Sequence, residues 1–579
     1  MFISRRRRGR RFMANACIGC MLSGVLAILM VAGCSSEFPS DPVVNDDDPG
    51  DVTTAREIEE ADIVKFIDGY FYISNPYTGL RVIDANDMSD PRLAGSYAVR
   101  GRGVELIVRD DHVFLFTAAD FGYCAGEPVA FDDPAFGDIT EPDYDGTRLW
   151  VVDVSNKDEL ALVGTVDFDG TVVGTRRVGE ILYATGTIGS TTFVVSIDIA
   201  DPSQIRVVES LRFGADAEDI HVSQEAIFLY GDDLTEADTT RVTYVDISST
   251  NGFIEKRDSF RVPGKVRDRY SMDASDDTYY IVTQDFNPAN FTQTLGLYAY
   301  DVSDPDNVDR LAFLPITTQE TLRTVRFDGQ RAYMVSSGGD DPLYVIDLSD
   351  PANPTVSGEL AGPGFSTHLV PLGDRLLGVG YATGAAFEPA VSLYDVSNPE
   401  NPSLLSRIIV ESLNRFSVGS EATVDEKALG VLADLGIVLL PYAVFDRDSG
   451  EFIDGLQIIQ MTNTNLRERG NIEHKGIVRR SGFEDSRMWL LSEVAFATVN
   501  TIDLDEPQPI AELTLISEQE LLDAGLIDCV DSARLSGRTI FYFEGNAFCG
   551  TFVPFSTFLT MAGLAAMRLH RKQLQVWRN

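Results

Sequence analysis

Basic residues are scarce in this chain. Only 47 Lys and Arg stand against 89 Asp and Glu in 579 residues, a formal net charge of -42. A surface that negative repels nucleic acid and anionic headgroups, so neither is expected as a partner, and basic proteins or cations suit it better. Histidine is rarer still: His112, His221, His368, His474 and His570 are scattered without metal-ligand spacing, which removes the usual imidazole-based metal sites. A Gly-rich phosphate loop, a nucleophile elbow and an H-E-x-x-H motif are all missing, and with them the hydrolase and nucleotide-binding classes that those motifs announce. Helical periodicity is nearly absent too. What remains is a globular composition, 44% hydrophobic and 23% charged, able to bury a large core.

The six cysteines divide by position. Cys17 and Cys20 fall in an N-terminal stretch, "MFISRRRRGRRFMANACIGCMLSGVLAILMVAGCSS", which has a basic start, an apolar middle and small residues before Cys34. Val31-Ala32-Gly33-Cys34 resembles the lipobox of bacterial lipoproteins. That resemblance implies cleavage before Cys34, lipidation of its thiol, and, with Ser35 and Ser36 following, transfer to the outer membrane, facing the periplasm or the exterior. The alternative is an uncleaved signal anchor. Losing residues 1–33, with six Arg and no acid, would take the net charge to -48. Residues 34–56 are polar, acidic and Pro-containing, and read as a flexible tether. In an oxidising compartment Cys529 and Cys549 are the expected disulfide, leaving Cys124 without an assigned role.

From residue 57 to about 516 one unit recurs. "PLYVIDLSDPANPTVSGEL" (342–360) has relatives whose aligned positions are Asp84, Asp153, Asp198, Asp246, Asp301, Asp347, Asp395, Gln460 and Asp503, spaced by about 52 residues, a propeller-blade period. Each copy follows a polar turn and an apolar strand such as "DGYFYIS" or "DDHVFLF", and a further short strand precedes it, giving four strands per period. In "LYVIDL" both faces are apolar, as in a strand covered on two sides. The predicted fold is therefore all-β: a β-propeller of eight or nine four-stranded antiparallel blades, the ninth copy being either a true blade or a sharer of strands in closing the ring. Nine similar turns, eight of them with Asp, cannot all be catalytic. They read as turn chemistry, in which Asp and Ser side chains bond to nearby backbone N–H groups and Pro fixes φ, rather than as repeated cation sites.

"EEADIVKFIDGYFYIS" from Glu59, the stretch 321–381 and "SLYDVSNPENP" from Ser392 resemble secreted bacterial and archaeal proteins with a C-terminal β-propeller domain, distantly related to WD-repeat proteins. The resemblance implies the fold; it supplies no catalytic residues. The chain lacks the WD dipeptide and the sialidase-type box, and its three Trp are too few for tryptophan-docked blades. "FDRDSGEF" from Phe445 offers Asp446 and Asp448 as weak Ca²⁺ candidates, shorter than an EF-hand loop. No cofactor is implied.

Long links fall between the second and third strands, at 119–146, 284–294, 381–390 and 441–454, and antiparallel order gathers them on one face. That face would present Tyr123, Phe131, Phe136, Tyr144, Phe286, Phe291, Phe387, Tyr442 and Phe445 among carboxylates, suited to a protein or glycan at the cell envelope; the same rings could instead form small cores under their own loops. The expected function is a lipid-anchored, non-enzymatic binding module, the rival an envelope hydrolase using carboxylates at the channel mouth. Residues 517–579 read as an extension, with closing strands plus a short helix, a membrane-adjacent helix, or little structure as the options. Pro554 interrupts its apolar run and argues against a spanning helix.

Overall fold

The computed structural model describes residues 56–516 except 100, 120–143, 190, 215, 276, 288–290, 339–340, 363, 383–387, 411–414, 447–451 and 485, and also 541–543 and 546–548. Nine antiparallel sheets follow one another along the chain, at 64–97, 102–168, 171–213, 216–263, 272–318, 321–360, 364–409, 415–474 and 480–514. Each is a meander of an inner, a second, a third and an outer strand, and they are numbered here as blades 1 to 9. The ninth repeat is a true blade, so the protein is a nine-bladed β-propeller.

Nine apolar clusters, one between each pair of neighbours, hold the ring. In the third strand of blade 6, Leu343–Asp347, Leu343 and Val345 join the cluster shared with blade 7, while Tyr344 and Ile346 join the one shared with blade 5. A strand buried on both faces therefore has no polar side. Burying each such side chain stabilises by about 1.5–3 kcal/mol. The last cluster closes the circle: Phe71, Ile73 and Ile83 of blade 1 meet Leu491 and Phe496 of blade 9, with Trp489 packed beside them. Among the described residues no strand is exchanged between blades 1 and 9.

The recurring Asp is turn chemistry, as its bonds show. Asp347 Oδ1 accepts the Ser349 N–H at 2.9 Å, and three residues on Asp350 Oδ1 accepts that of Ala352 at 3.1 Å. The same double turn occurs at Asp301 and Asp304, and at Asp395 and Asn398. Blade 9 corrects the alignment. Asn500, opposite Gln508 at the end of the third strand, takes the first place by accepting from Ile502, and Asp503 takes the second by accepting from Asp505. Sequence comparison slipped there by three residues because the acid sits at the second turn position and the amide at the first.

These turns also join the blades. The outer-strand glycine of one blade lies under the turn of the next: a Cβ on Gly470 would stand 2.7 Å from the Asp505 carbonyl oxygen, and one on Gly358 would overlap that of Pro399. Arg469 of blade 8 adds a paired bond to Asp505, with Nη2 to Oδ2 at 3.0 Å.

Candidate functional site

The centre of the ring is filled by the protein itself. Before blade 1, residues Ile58–Glu60 form a strand, β1, antiparallel to the inner strand of blade 3, with Ile58 opposite Val178 and Glu60 opposite Arg176. The chain comes in beside the short turns, where the Gly179 N–H donates to the Glu57 carbonyl at 2.9 Å and Arg56 Nη2 to that of Ile247 at 2.8 Å. It then passes Leu106 of blade 2, exchanging backbone bonds at Asp62, and turns into the inner strand of blade 1.

Two inner strands also bulge toward this segment. In blade 8, residues 420–429 stand against only 440–442 of the next strand and form two 3-10 turns. In blade 5, residues 266–271 stand against 282 and 283. Nine blades set the inner strands around a wide channel; β1 and the two insertions occupy it.

Charge fixes the segment in place. Glu60 Oε1 meets Arg269 Nη1 of blade 5 at 2.7 Å, Arg176 Nη2 of blade 3 at 3.2 Å and Lys427 Nζ of blade 8 at 3.4 Å. Lys427 Nζ donates to the Ala61 carbonyl at 2.8 Å. Arg480 of blade 9 bridges Asp62 at 2.7 Å and Asp425 at 2.6 Å. Glu59 accepts from Arg177 at 2.8 Å and pairs with Lys65 at 2.9 Å. Buried charges are tolerable only with such partners.

The titration of these groups follows. Burial alone would raise the Glu60 carboxyl, but Arg176, Arg269 and Lys427 outweigh it and hold it well below the ordinary carboxylate range. Burial pushes Glu105, on the inner strand of blade 2, the other way, and the Thr175 hydroxyl that donates to it at 2.6 Å offsets this only in part. Glu421 is raised by burial despite Arg479 at 3.1 Å. His368, on the inner strand of blade 7, is lowered to about 4 by burial; its Nδ1 lies 3.9 Å from Glu426. His221 is on the inner strand of blade 4.

In the sequence, 57–62 reads as the start of the propeller's first repeat, and its role in the ring centre is not visible in that stretch alone. A signal lay in the wider sequence. In a chain poor in basic residues, Arg and Lys cluster on or beside inner strands, in "GTRRVG" from Gly174, "VRDRYS" from Val266 and "VRRSG" from Val478, opposite the acids of "EIEEAD" from Glu57.

The loop-face aromatics lie in different settings. Tyr144 is buried within blade 2, its OH 2.6 Å from Thr117 Oγ1 and its ring under the Arg148 guanidinium at 4.4 Å. Tyr442 is buried in the second strand of blade 8. Phe286 and Phe291 of blade 5 are exposed. Phe445 and Asp446 end the second strand of blade 8, opposite Phe452 and Arg415. Tyr123, Phe131, Phe136, Phe387, Asp448, Cys34, Cys124, Cys529 and Cys549 lie outside the described residues, as do residues 1–55 and most of 517–579. Among the described residues no three His, Cys, Asp or Glu side chains are grouped to hold a metal ion, and no helix is long and apolar enough to cross a membrane.

Fold and filled channel define a class, the β-propellers, in a nine-bladed form with an internal N-terminal strand. Within it the chain belongs to the family described as "Beta propeller domain", whose model matches residues 53–187 and 183–500. An uncharacterised protein of Methanocaldococcus jannaschii is 41% identical over 110 residues, 19% of this chain and 17% of that protein. One of Archaeoglobus fulgidus is 33% identical over 147 residues, 25% of this chain and 22% of that protein. The chain thus aligns with less than a quarter of the length of these curated relatives. Among solved structures, apo AztD from Citrobacter koseri is similar at 13% identity and a TM-score of 0.34, covering 64% of this chain and 94% of that one. Kluyveromyces lactis Hsv2 is similar at 10% identity and a TM-score of 0.34, covering 63% and 95%.

Proposed function

We propose that the protein is a non-enzymatic binding module of the bacterial cell envelope, exported by residues 1–33, held at the outer membrane by a lipid on Cys34, and engaging a protein or glycan through its long-loop face. The observation that carries this reading is the filled channel. With β1 and two insertions in the ring centre, the surface open to a partner is the face where the second-to-third-strand links gather, and there Phe286 and Phe291 stand in solvent. Deleting residues 121–143, which leaves the buried Tyr144 in place, tests it. The variant should keep the thermal unfolding of the intact protein and lose the envelope component that co-purifies with it; retention of every such component sinks the reading. Replacing Cys34 with Ala should abolish lipid incorporation measured by mass spectrometry.

A second reading, an envelope hydrolase, draws on one observation. Glu60 and Glu105 are displaced in opposite directions, as the base and acid of a carboxylate pair would be. Glu60 is carried by the N-terminal segment itself and Glu105 is buried on the inner strand of blade 2, so this reading needs a path for substrate past that segment. Turnover of chromogenic glycosides that disappears in Glu105→Gln would favour it.

A further inference from the structure

One corner of the long-loop face brings exposed apolar groups and unneutralised acids together. The link 233–238 of blade 4 is tied to the second strand of blade 5, Thr278–Asn287, by the Phe286 N–H, which donates to Asp238 Oδ2 at 2.6 Å. The same arrangement sets the carboxyl of Asp285 within hydrogen-bonding reach of Asp238, and burial together with that neighbour raises Asp285. No cation among the described residues pairs with either acid. The nearby ones are committed: Lys265 to Asp232, and Arg241 and Arg261 to Asp233 at 2.7 and 2.6 Å. Next to the acids stand Phe291, 77% exposed, and Phe286, 43% exposed, their rings edge-on at 6.3 Å, while Leu234 on the neighbouring link is 59% exposed.

Large apolar side chains grouped in water mark a surface that gains by being covered, and two adjacent carboxyls without a counter-ion gain by meeting a positive charge. We propose that this corner docks a basic protein segment, an apolar side chain of the partner lying against Phe286, Phe291 and Leu234 while a Lys or Arg reaches the Asp238–Asp285 pair. The proposal rests on the binding reading above and names its partner class. A neutral glycan could stack on the rings but would leave the acid pair uncompensated, whereas the field of a chain with net charge -42 draws cations to it.

The probe is a fluorescein-labelled Lys/Leu peptide, with its Glu/Leu counterpart and a chitin oligosaccharide as comparisons, titrated into the full chain and followed by anisotropy. Replacing Phe286 and Phe291 together with Ala should weaken the Lys/Leu peptide by roughly tenfold or more. Asp285→Asn, which keeps the Asp238 bond to the backbone, should weaken it in the same direction. Asp304→Asn with Asp350→Asn, a larger charge loss on the opposite face, should leave it unchanged, and each variant should keep the parent's melting temperature. Equal weakening by the opposite-face pair, no weakening by the Phe pair, or binding of the oligosaccharide alone through these rings overturns the proposal. If the Phe pair has no effect while deletion of 121–143 abolishes peptide binding, this corner is wrong and the loop-face reading stands; if neither variant matters, both fall.

Discussion

At the scale of single residues, glycine sets how closely two blades approach. Gly470 lies under the Leu504–Pro507 turn, where a Cβ would meet the carbonyl oxygens of Asp505 at 2.7 Å and Leu504 at 2.8 Å. Backbone cannot swing aside as a side chain can, so Gly470→Ala should destabilise by about 1–3 kcal/mol through overpacking. Gly214, with nothing within 4 Å of an added Cβ, is the control, and its Ala variant should lose no stability in urea melts. The residue scale is also where sequence reading met its limits. A run such as "LYVIDL" showed burial on both faces because its side chains before Asp347 are hydrophobic on both. Tyr144 and Phe291, by contrast, are both aromatics in polar links, and nothing local distinguishes the one held by Thr117 within its blade from the one standing in water.

At the scale of elements, the N-terminal segment ties five blades to one another. It bonds through its backbone to blades 2 and 3 and through its acids to blades 3, 5, 8 and 9. Glu60→Ala would take from Arg176, Arg269 and Lys427 the buried carboxylate they share, which should cost about 3–5 kcal/mol. Ala at the exposed Glu225 should cost almost nothing. Equal urea midpoints for the two variants would show that the cluster does not hold the segment. The four-stranded meanders were legible because turns and strands alternate within each period. The path of β1 was not, since its strand partners are more than a hundred residues away, and in one dimension a short stretch just ahead of the first blade looks like part of that blade. The insertions of blades 5 and 8 were hidden for a related reason: extra residues in an inner strand resemble an ordinary lengthening of the link before it.

At the scale of the whole molecule, stability should depend on pH with a sign set by buried histidines. Burial lowers His368 and His474 to about 4 from an ordinary value of 6.5. As pH falls from 6.5 toward 4 the unfolded chain takes up protons at both sites while the folded one does not, so stability drops, by at most about 3 kcal/mol per histidine. The depressed Glu60 adds to the loss further down, because its contribution is present above the unfolded carboxylate value and fades below it. The raised Glu105 and Glu421 work in the opposite sense, favouring the folded state as they protonate. Replacing both histidines with Gln should therefore flatten the dependence of the urea midpoint between pH 6.5 and 4. An unchanged slope would mean that the carboxyls alone set it.

The threading of β1 through the ring also imposes an order on assembly. Ribosomes make this stretch before any blade, yet its strand partner is the third blade and its counter-charges arrive with the fifth, eighth and ninth. The backbone of the earliest synthesised part of the fold can be paired once the third blade is made, but its acids are fully matched only when the ninth is in place.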